Sequence, residues 1–405
     1  MSRSVFVLAA LALAGCRDTV EPSLYTVASP SGATATYGAV DLGTLGGTTS
    51  SAAAINDDGQ IVGASTLATG ESHAFLWTGG VMTDLGTLGG ATSNATDINA
   101  TGQVVGLSAT AAGEPRVFLW DGALRDLGPG PSNPWTLVKL NDQGQAAWTA
   151  SVGSTTRAYY WNGSQTVDLG TLGGTSSTVS DINARGDVSG SSTMPDGETH
   201  AVVWQQGIIR DLGTLTGTSS SASGINDRGD VSGEWNYRVQ DEYGFWIAYK
   251  RGFVWTDGVM TDLGPLSDGD GGRSDSYSRA LAINNRGQIA GESFPFSWFP
   301  FHPVVWEGGA VVALRAEPNT WCQDRVAALN NSGVIVGQGG RCGREPAHAT
   351  VWTDGLTFDL GTLGVPSRAT AVNNRGDVVG SATLASGDTR AMLWRRGGGN
   401  TVAMR

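Results

Sequence analysis

Short apolar segments alternate with polar, glycine-containing turns along almost the whole chain. In the stretch from Ser51 to Leu88, strand-like runs lie at 52–55, 61–65, 73–77 and 81–85. The first two runs flank the sequence Asn56-Asp57-Asp58-Gly59, which suits a type I turn closed by a residue with positive φ. Four short runs separated by two tight turns and two longer loops predict a four-stranded antiparallel meander.

The same pattern recurs about every 42 residues, with a longer spacing after the fifth and sixth copies. The asparagine that opens the first turn lies at Asn56, Asn99, Asn141, Asn183, Asn226, Asn284, Asn330 and Asn373. A fixed period of this length is typical of a four-stranded propeller blade. We therefore predict an all-β fold, a β-propeller of about eight four-stranded blades, with seven blades as the alternative. One chain terminus is expected to complete the last blade, because closure removes exposed strand edges.

The third strand of each copy begins with a cationic residue and ends with tryptophan. The first position holds His73, Arg116, Arg157, His200, Arg251, His302, His348 and Arg390. A position that accepts histidine or arginine interchangeably indicates a planar donor with a structural role. We expect its partner to be the aspartate of the Asp-Leu-Gly element that follows, as in Asp84. The tryptophans, such as Trp77, are predicted to pack blade against blade.

Together these motifs resemble the HAF repeat of bacterial extracellular proteins. The resemblance is carried by His73-Ala74-Phe75 followed by Asp84-Leu85-Gly86-Thr87-Leu88-Gly89-Gly90, and it covers residues 39 to about 400. It implies secretion and a propeller-like fold. The family has no established catalytic residues, so the resemblance implies no reaction.

The first residues are typical of an export signal. Arg3 and the apolar stretch from Val5 to Ala14 resemble a signal peptide, and Leu13-Ala14-Gly15-Cys16 resembles a lipobox. We predict a lipoprotein signal peptide at 1–15, a lipidated Cys16 with a flexible tether at 16–38, and a propeller at 39–405. A simple secretory signal is the alternative. The protein would then be exported and lipid-anchored in the bacterial cell envelope, with no other membrane contact.

The two remaining cysteines predict a disulfide. Cys322 and Cys342 each lie ten residues from Ser332, on which the predicted turn at 330–333 centres, so they would face each other across a hairpin. An even cysteine pair is typical of an oxidising compartment.

Composition and charge narrow the range of partners. The chain has 405 residues with 60 glycines, 15% charged residues and a net charge of −12. This charge argues against a nucleic-acid partner, and we predict a monomer. No cofactor or metal is predicted, although the oxygen ligands of Asp268, Asp270 and Asp275 make calcium an alternative. Nucleophile-elbow, phosphate-loop and zinc-protease motifs are absent from the sequence.

Departures from the repeat cluster on one predicted face of the propeller. The loops between strands two and three lie on this face, here called the loop face, together with the blade crossovers. The tight turns form the opposite turn face. Aromatic and acidic insertions in copies five to seven predict a ligand site there, since rigid scaffolds present function on loops. The candidate residues are Trp235, Tyr237, Tyr243, Trp246, Asp268, Asp270, Trp298 and Trp321. The alternative is that these aromatics pack on one another beneath long loops.

These features predict a non-catalytic binding or structural module at the cell surface. Exposed aromatics beside carboxylates would suit a polysaccharide or protein ligand. The alternative function is a carbohydrate-active enzyme, a glycoside hydrolase or lyase, with carboxylates drawn from Asp241, Glu242, Asp268 and Asp270.

Overall fold

Eight antiparallel sheets, arranged as the blades of a β-propeller, confirm the predicted fold class. The computed structural model describes residues 23–28, 34–133, 136–240, 243–266, 275–295, 301–314, 324–340, 347–361 and 366–397. Blades one to four contain, in order, β3 (Gly46–Ile55), β4 (Ile61–Leu67), β5 (Ser72–Thr78) and β6 (Val81–Gly86); β7 (Gly89–Ile98), β8 (Val104–Thr110), β9 (Pro115–Trp120) and β10 (Leu124–Pro129); β11 (Val138–Leu140), β12 (Ala146–Val152), β13 (Thr155–Trp161) and β14 (Thr166–Asp168); and β15 (Ser177–Ile182), β16 (Val188–Thr193), β17 (Thr199–Gln205) and β18 (Ile208–Asp211).

Blades five to eight repeat the meander, and the last includes strands from both ends of the described chain. They contain β19 (Ser219–Ile225), β20 (Val231–Gln240), β21 (Trp246–Thr256) and β22 (Val259–Asp262); β23 (Tyr277–Ile283), β24 (Ile289–Phe294), β25 (His302–Glu307) and β26 (Ala310–Ala313); β27 (Arg325–Leu329), β28 (Ile335–Gly339), β29 (His348–Thr353) and β30 (Leu356–Asp359); and β31 (Ser367–Val372), β32 (Val378–Thr383), β33 (Thr389–Arg396), β2 (Thr34–Asp41) and β1 (Ser23–Ala28).

An N-terminal strand closes the ring. β2 pairs antiparallel with β33 and serves as the fourth strand of blade eight, with Asp41 opposite Met392. β1 adds a fifth strand outside it. Residues 23–28 and 34–38 therefore lie in strands, whereas the sequence had suggested a flexible tether there. Their pairing gives the backbone N–H and C=O groups partners within the last sheet.

The first strands of the blades surround the central axis. Each contacts the first strand of both neighbouring blades, from β3 round to β31 and back to β3. The turns after these strands form as predicted: Gly59 has φ +76° and its N–H donates to the Asn56 carbonyl at 3.0 Å. The first strands therefore line a central channel, and the fourth strands lie outermost.

The eight turn asparagines form a closed ring of hydrogen bonds. The Asn56 side chain donates from Nδ2 to the Asn99 carbonyl, and each later asparagine donates in the same way to the next blade. Asn373 then donates to the Asn56 carbonyl, which completes the circle. The eight bonds measure 2.7 to 3.2 Å, and every asparagine in the ring is buried. This ring holds adjacent blades together at the turn face.

The third-strand tryptophans fill the space between blades, as predicted. Trp77 of blade one belongs to a core that includes Ala391 and Leu393 of blade eight. Trp394 of blade eight packs with Val336 and Val351 of blade seven. The core is therefore divided into layers between consecutive sheets, as a repeat array requires.

Candidate functional site

The histidine and arginine positions of the third strands have structural partners. His73 Nδ1 lies 2.9 Å from Asp84 Oδ2, and Arg116 Nε lies 3.0 Å from Asp126 Oδ2. The equivalent pairs join Arg157 to Asp168, His200 to Asp211, Arg251 to Asp262 and His348 to Asp359. The predicted pairing is thus confirmed in these blades, and these histidines hold outer strands together.

Blade eight lacks this pair, since no bond joins Arg390 to Asp41 among the described residues, and blade six departs from the rule in its sequence as well. Ala313 occupies the place of the aspartate on its fourth strand, and His302 Nδ1 instead contacts Asp275 Oδ2 at 2.8 Å. Asp275 precedes β23 and is buried. The only described member of the proposed calcium loop is therefore bound to a histidine of its own blade.

Two of the predicted ligand-binding aromatics belong to a packed ladder. Trp235 is 5% exposed, and its ring stacks on Tyr237 with centroids 4.8 Å apart. The ladder continues through Tyr249, Tyr277, Phe294 and Phe301 with centroid separations of 5.0 to 5.5 Å. Stacked rings at this spacing stabilise the junction of blades five and six. For Trp235 and Tyr237, the packing interpretation holds.

The other two described aromatic candidates lie at the tip of a long hairpin. β20 and β21 extend beyond the equivalent strands of the other blades, to Gln240 and Trp246. Tyr243 is 77% exposed and Trp246 is 66% exposed. These two aromatic side chains thus lie at the tip of the hairpin, away from the ladder that packs at its base.

Several predicted positions lie outside the described residues. They are the site candidates Asp268, Asp270, Trp298 and Trp321, the enzyme candidates Asp241 and Glu242, the lipidation site Cys16, and the predicted disulfide pair Cys322 and Cys342. The lipobox, the disulfide and the calcium alternative stay predictions.

A charged cluster from three consecutive first strands lines the channel. Asp97 on β7, Lys139 on β11 and Asp181 on β15 occupy equivalent positions, two residues before the ring asparagine. Lys139 Nζ lies 3.9 Å from Asp181 Oδ1, and the Leu140 N–H donates to Asp97 Oδ2 at 3.0 Å. In the other five blades this position holds Ala54, Gly224, Ala282, Ala328 and Ala371. One wall of the channel is therefore charged, and the rest is small and uncharged at this level.

Burial changes the acidity of this channel triad. It raises the pKa of Asp97 to about 6, against attraction from Lys139 and the hydrogen bonds of Leu140 and Ile98. Burial also raises the pKa of Asp181, and attraction to Asp181 raises that of Lys139. The Lys139 and Asp181 side chains remain 31% exposed each, because they border the channel. The triad combines groups of both charges in a partly dehydrated site that a ligand in the channel can reach.

A second charged chain lies in blades five to seven, nearer the loop face. Lys250 Nζ lies 2.6 Å from Glu234 Oε1, and Arg279 Nε lies 3.4 Å from Glu234 Oε2. Glu292, whose side chain is 2% exposed, lies 3.9 Å from Arg279 and 3.5 Å from Arg325. Burial raises the pKa of Glu292, and the two arginines oppose that rise.

Neither charged group was proposed from the sequence. Both become visible when the copies are aligned on the ring asparagine, since charges then stand at positions where most other copies have Ala, Gly, Ser or Thr. These substitutions leave the repeat length unchanged, so the insertions in the repeat do not reveal them.

Neither a metal-binding group nor a membrane-spanning helix occurs among the residues that the structure describes. Among them, no group of three or more His, Cys, Asp or Glu side chains is arranged to hold a metal ion. Within the same residues, no helix has the length and apolar character needed to cross a membrane.

Comparison with solved structures identifies similar propellers in peptidases. The propeller domain of the Trilobed protease from Pyrococcus furiosus, described as having an open velcro topology, matches 75% of this chain and 96% of its own, with 11% identity and a TM-score of 0.50. A prolyl endopeptidase matches 83% of this chain with 14% identity and a TM-score of 0.50. The acylaminoacyl peptidase of Pyrococcus horikoshii matches 75% of this chain with 11% identity and a TM-score of 0.46.

These matches show a shared propeller fold. The chain spans 54% of the prolyl endopeptidase and 52% of the acylaminoacyl peptidase, about half the length of each. No protein-family profile matches the chain, and no curated protein matches it significantly. The resemblance to the HAF repeat therefore stays a prediction.

The comparison corrects the predicted function. The similar propellers belong to peptidases, which contradicts a non-catalytic surface module for a polysaccharide or protein and also the alternative of a carbohydrate-active enzyme. The aromatic insertions suggested sugar stacking, but the ladder that they build is largely internal packing.

Proposed function

We propose that this chain serves peptide hydrolysis as a peptidase-type propeller that holds an extended peptide in its central channel. The hydrolytic groups would come from another domain or chain, because the sequence lacks the nucleophile-elbow and zinc-protease motifs. The proposed reaction class is supported by the similar structures, which include a protease and a prolyl endopeptidase.

The observation that favours this function is the channel triad of Asp97, Lys139 and Asp181. Structural charges in this propeller recur in most blades, as the third-strand pairs do. The triad occurs in only three blades, and burial opposes the charge of both its carboxylates. An extended peptide offers N–H, C=O and terminal charges along its length, which a mixed set of donors and acceptors can bind.

The test is peptide binding by wild type and by a neutral triad variant. Fluorescein-labelled unstructured peptides of about ten residues are titrated and followed by anisotropy, with mass spectrometry to detect cleavage. The variant Asp97→Asn/Lys139→Met/Asp181→Asn keeps the side chains close in size and removes all three charges together. We expect saturable binding by wild type and at least tenfold weaker binding by the variant, a change of about 1.4 kcal/mol.

A matched control changes a cation outside the channel. Arg125→Met alters an outermost strand, where Arg125 is 53% exposed, forms a 3.8 Å surface pair with Asp121 and lies 6.0 Å from the centroid of the Trp161 ring. This variant should bind peptides as wild type does. Absence of peptide binding by wild type, or equal losses in the triad and control variants, would refute the proposed function.

A further inference from the structure

A second repeat position, five residues before the ring asparagine, is cationic in the last three blades. It holds Arg279 on β23, Arg325 on β27 and Arg368 on β31. Ser51, Asn94, Thr178 and Ser221 occupy it in blades one, two, four and five. Because the first strands run toward the turn face, these arginines lie nearer the loop-face mouth of the channel than the triad does. They also lie on the opposite arc of the ring, blades six to eight against blades two to four.

The first two arginines are matched by carboxylates of the preceding blade. Arg279 faces Glu234 of blade five, and Arg325 faces Glu292 of blade six. Both glutamates occupy the same place on a second strand: Glu234 pairs with Ser221, and Glu292 pairs with Arg279. The Arg325 guanidinium also lies 3.5 Å from the centroid of the Phe301 ring, which fixes its position.

Blade eight breaks this matching. The equivalent second-strand residue of blade seven is Gln338, which pairs with Arg325. Its Nε2 donates to the Ser367 carbonyl at 3.4 Å, so this side chain reaches the strand of Arg368 without bringing a negative charge. Across the described part of the chain, no carboxylate lies within ion-pair distance of the exposed Arg368. Among the described residues at these first- and second-strand positions, three arginines, together with Lys250 of β21, therefore stand with two glutamates, in a protein of net charge −12.

We infer that Arg368, with Arg325 on the adjacent first strand, binds a carboxylate of an acidic peptide at the loop-face mouth of the channel. The inference rests on the proposed function and narrows its substrate class to peptides with an acidic side chain or a free C-terminus there. A guanidinium presents paired N–H donors that match the two oxygens of a carboxylate. Arg279 and Arg325 are each matched by a glutamate, so the uncompensated charge lies on Arg368 and places the subsite at the junction of blades seven and eight.

The repeat itself suggests a variant that tests the charge of Arg368 directly. Gln338→Glu would give blade seven the same carboxylate that blades five and six already have, and would neutralise Arg368 without removing it. Glutamate is close in size to glutamine, so we expect the strand and the fold to persist. Arg395→Gln is the control, because Arg395 is an exposed arginine beyond Trp394, at the turn-face end of the third strand β33.

The experiment compares two peptides that differ only in charge, one with two glutamates and an amidated C-terminus and one with glutamines in their place. Anisotropy should show the acidic peptide binding wild type about tenfold more tightly than the neutral one. Gln338→Glu and Arg368→Gln should remove that preference, whereas Arg395→Gln should keep it. Added salt should reduce the preference as well, since the contact is partly exposed.

The outcomes separate this inference from the proposed function. Equal binding of both peptides by wild type would overturn the carboxylate subsite and leave peptide binding in place. If neither peptide binds, the proposed function and its acidic-peptide substrate both fail. Isotope-labelled glutarate then tests the arginines alone: line broadening that Gln338→Glu abolishes would support an anion site for small carboxylates, and its absence would overturn the site altogether.

Discussion

Each ring asparagine links two blades through different atoms of one side chain. Asn99 accepts the N–H groups of Thr101 and Gln103 at Oδ1, which shapes its own turn. Its Nδ2 donates to the Asn141 carbonyl of the next blade at 3.1 Å. An amide is required because neither a carboxylate nor an apolar residue can do both.

Asn99→Asp should separate these two roles. The aspartate keeps the acceptor for the turn, but it loses the donor and places a buried carboxylate beside the Asn141 carbonyl. We expect the free energy of unfolding to fall by about 3 kcal/mol, as for a buried polar group left unmatched. Asn162→Asp is the control, since the exposed Asn162 side chain only accepts hydrogen bonds, from the N–H groups of Ser164 and Gln165. Urea denaturation checks both, and equal stability of the two variants would contradict the ring's role.

The raised pKa of Asp97 predicts a pH-dependent stability. The folded value is about 6 and the ordinary value is 3.8, so the unfolded chain loses this proton first as pH rises. The contribution of this carboxyl to stability is therefore greatest below about pH 4 and declines as pH rises to about 6. Asp97→Asn should flatten that part of the stability profile, measured by urea denaturation from pH 4 to 7. The exposed Asp196→Asn should leave the profile as in wild type.

At the scale of elements, β2 is the strand that closes the ring. It lies between β1 and β33, with Ala39 opposite both Ser23 and Trp394. Ala39 is 3% exposed and belongs to the core between blades seven and eight. At residue 39, β2 therefore has a neighbouring strand on either side.

Ala39→Pro should weaken the closure. Proline removes one N–H from a central strand, so we expect a loss of about 3 kcal/mol and a lower Tm. Leu24→Pro changes β1, which pairs only with β2, and should have a much smaller effect. Thermal unfolding of the two variants decides whether β2 or β1 is the closing element.

The aromatic ladder and the tip of the blade-five hairpin should respond differently to the loss of a ring. Phe294 is 1% exposed within the ladder, whereas Trp246 is 66% exposed. Phe294→Ala should lower the free energy of unfolding by about 4 kcal/mol, because it leaves a cavity. Trp246→Ala should change stability by less than about 0.5 kcal/mol, as for most surface substitutions. A large loss in Trp246→Ala would place the tip within the core.

At the scale of the whole molecule, stability should decrease outward from the axis. The first strands contact both neighbouring blades and carry the asparagine ring, whereas the fourth strands form the rim. Hydrogen exchange followed by mass spectrometry should therefore give the slowest exchange in first and second strands and faster exchange in fourth strands. Protection that varies by blade, with no difference between inner and outer strands, would contradict this radial order.

The sequence was sufficient to predict the blades but not the charged groups of the channel. Repeat length and turn chemistry predicted eight meanders, and spacing predicted the pair of His73 with Asp84, because these features are local to one copy. The pairing of His302 with Asp275 was missed since Ala313 interrupts the pattern. The burial of Trp235 and the exposure of Trp246 could not be distinguished, because both are aromatic residues of one insertion. The channel groups depend on neighbouring blades, so only the ring brings them together.

The asparagine ring would also form if the two ends of the repeat array lay at a different blade. The bond from Asn373 to Asn56 spans the two ends of the repeat array, yet it has the same donor, acceptor and length range as the bonds between successive copies. Every link runs in the same rotational sense, and none is first or last. A circular permutant that joins the present ends of the array and opens at another blade crossover would therefore rebuild all eight links. The order of the blades around the axis, and not the order in which they are synthesised, is what this ring specifies.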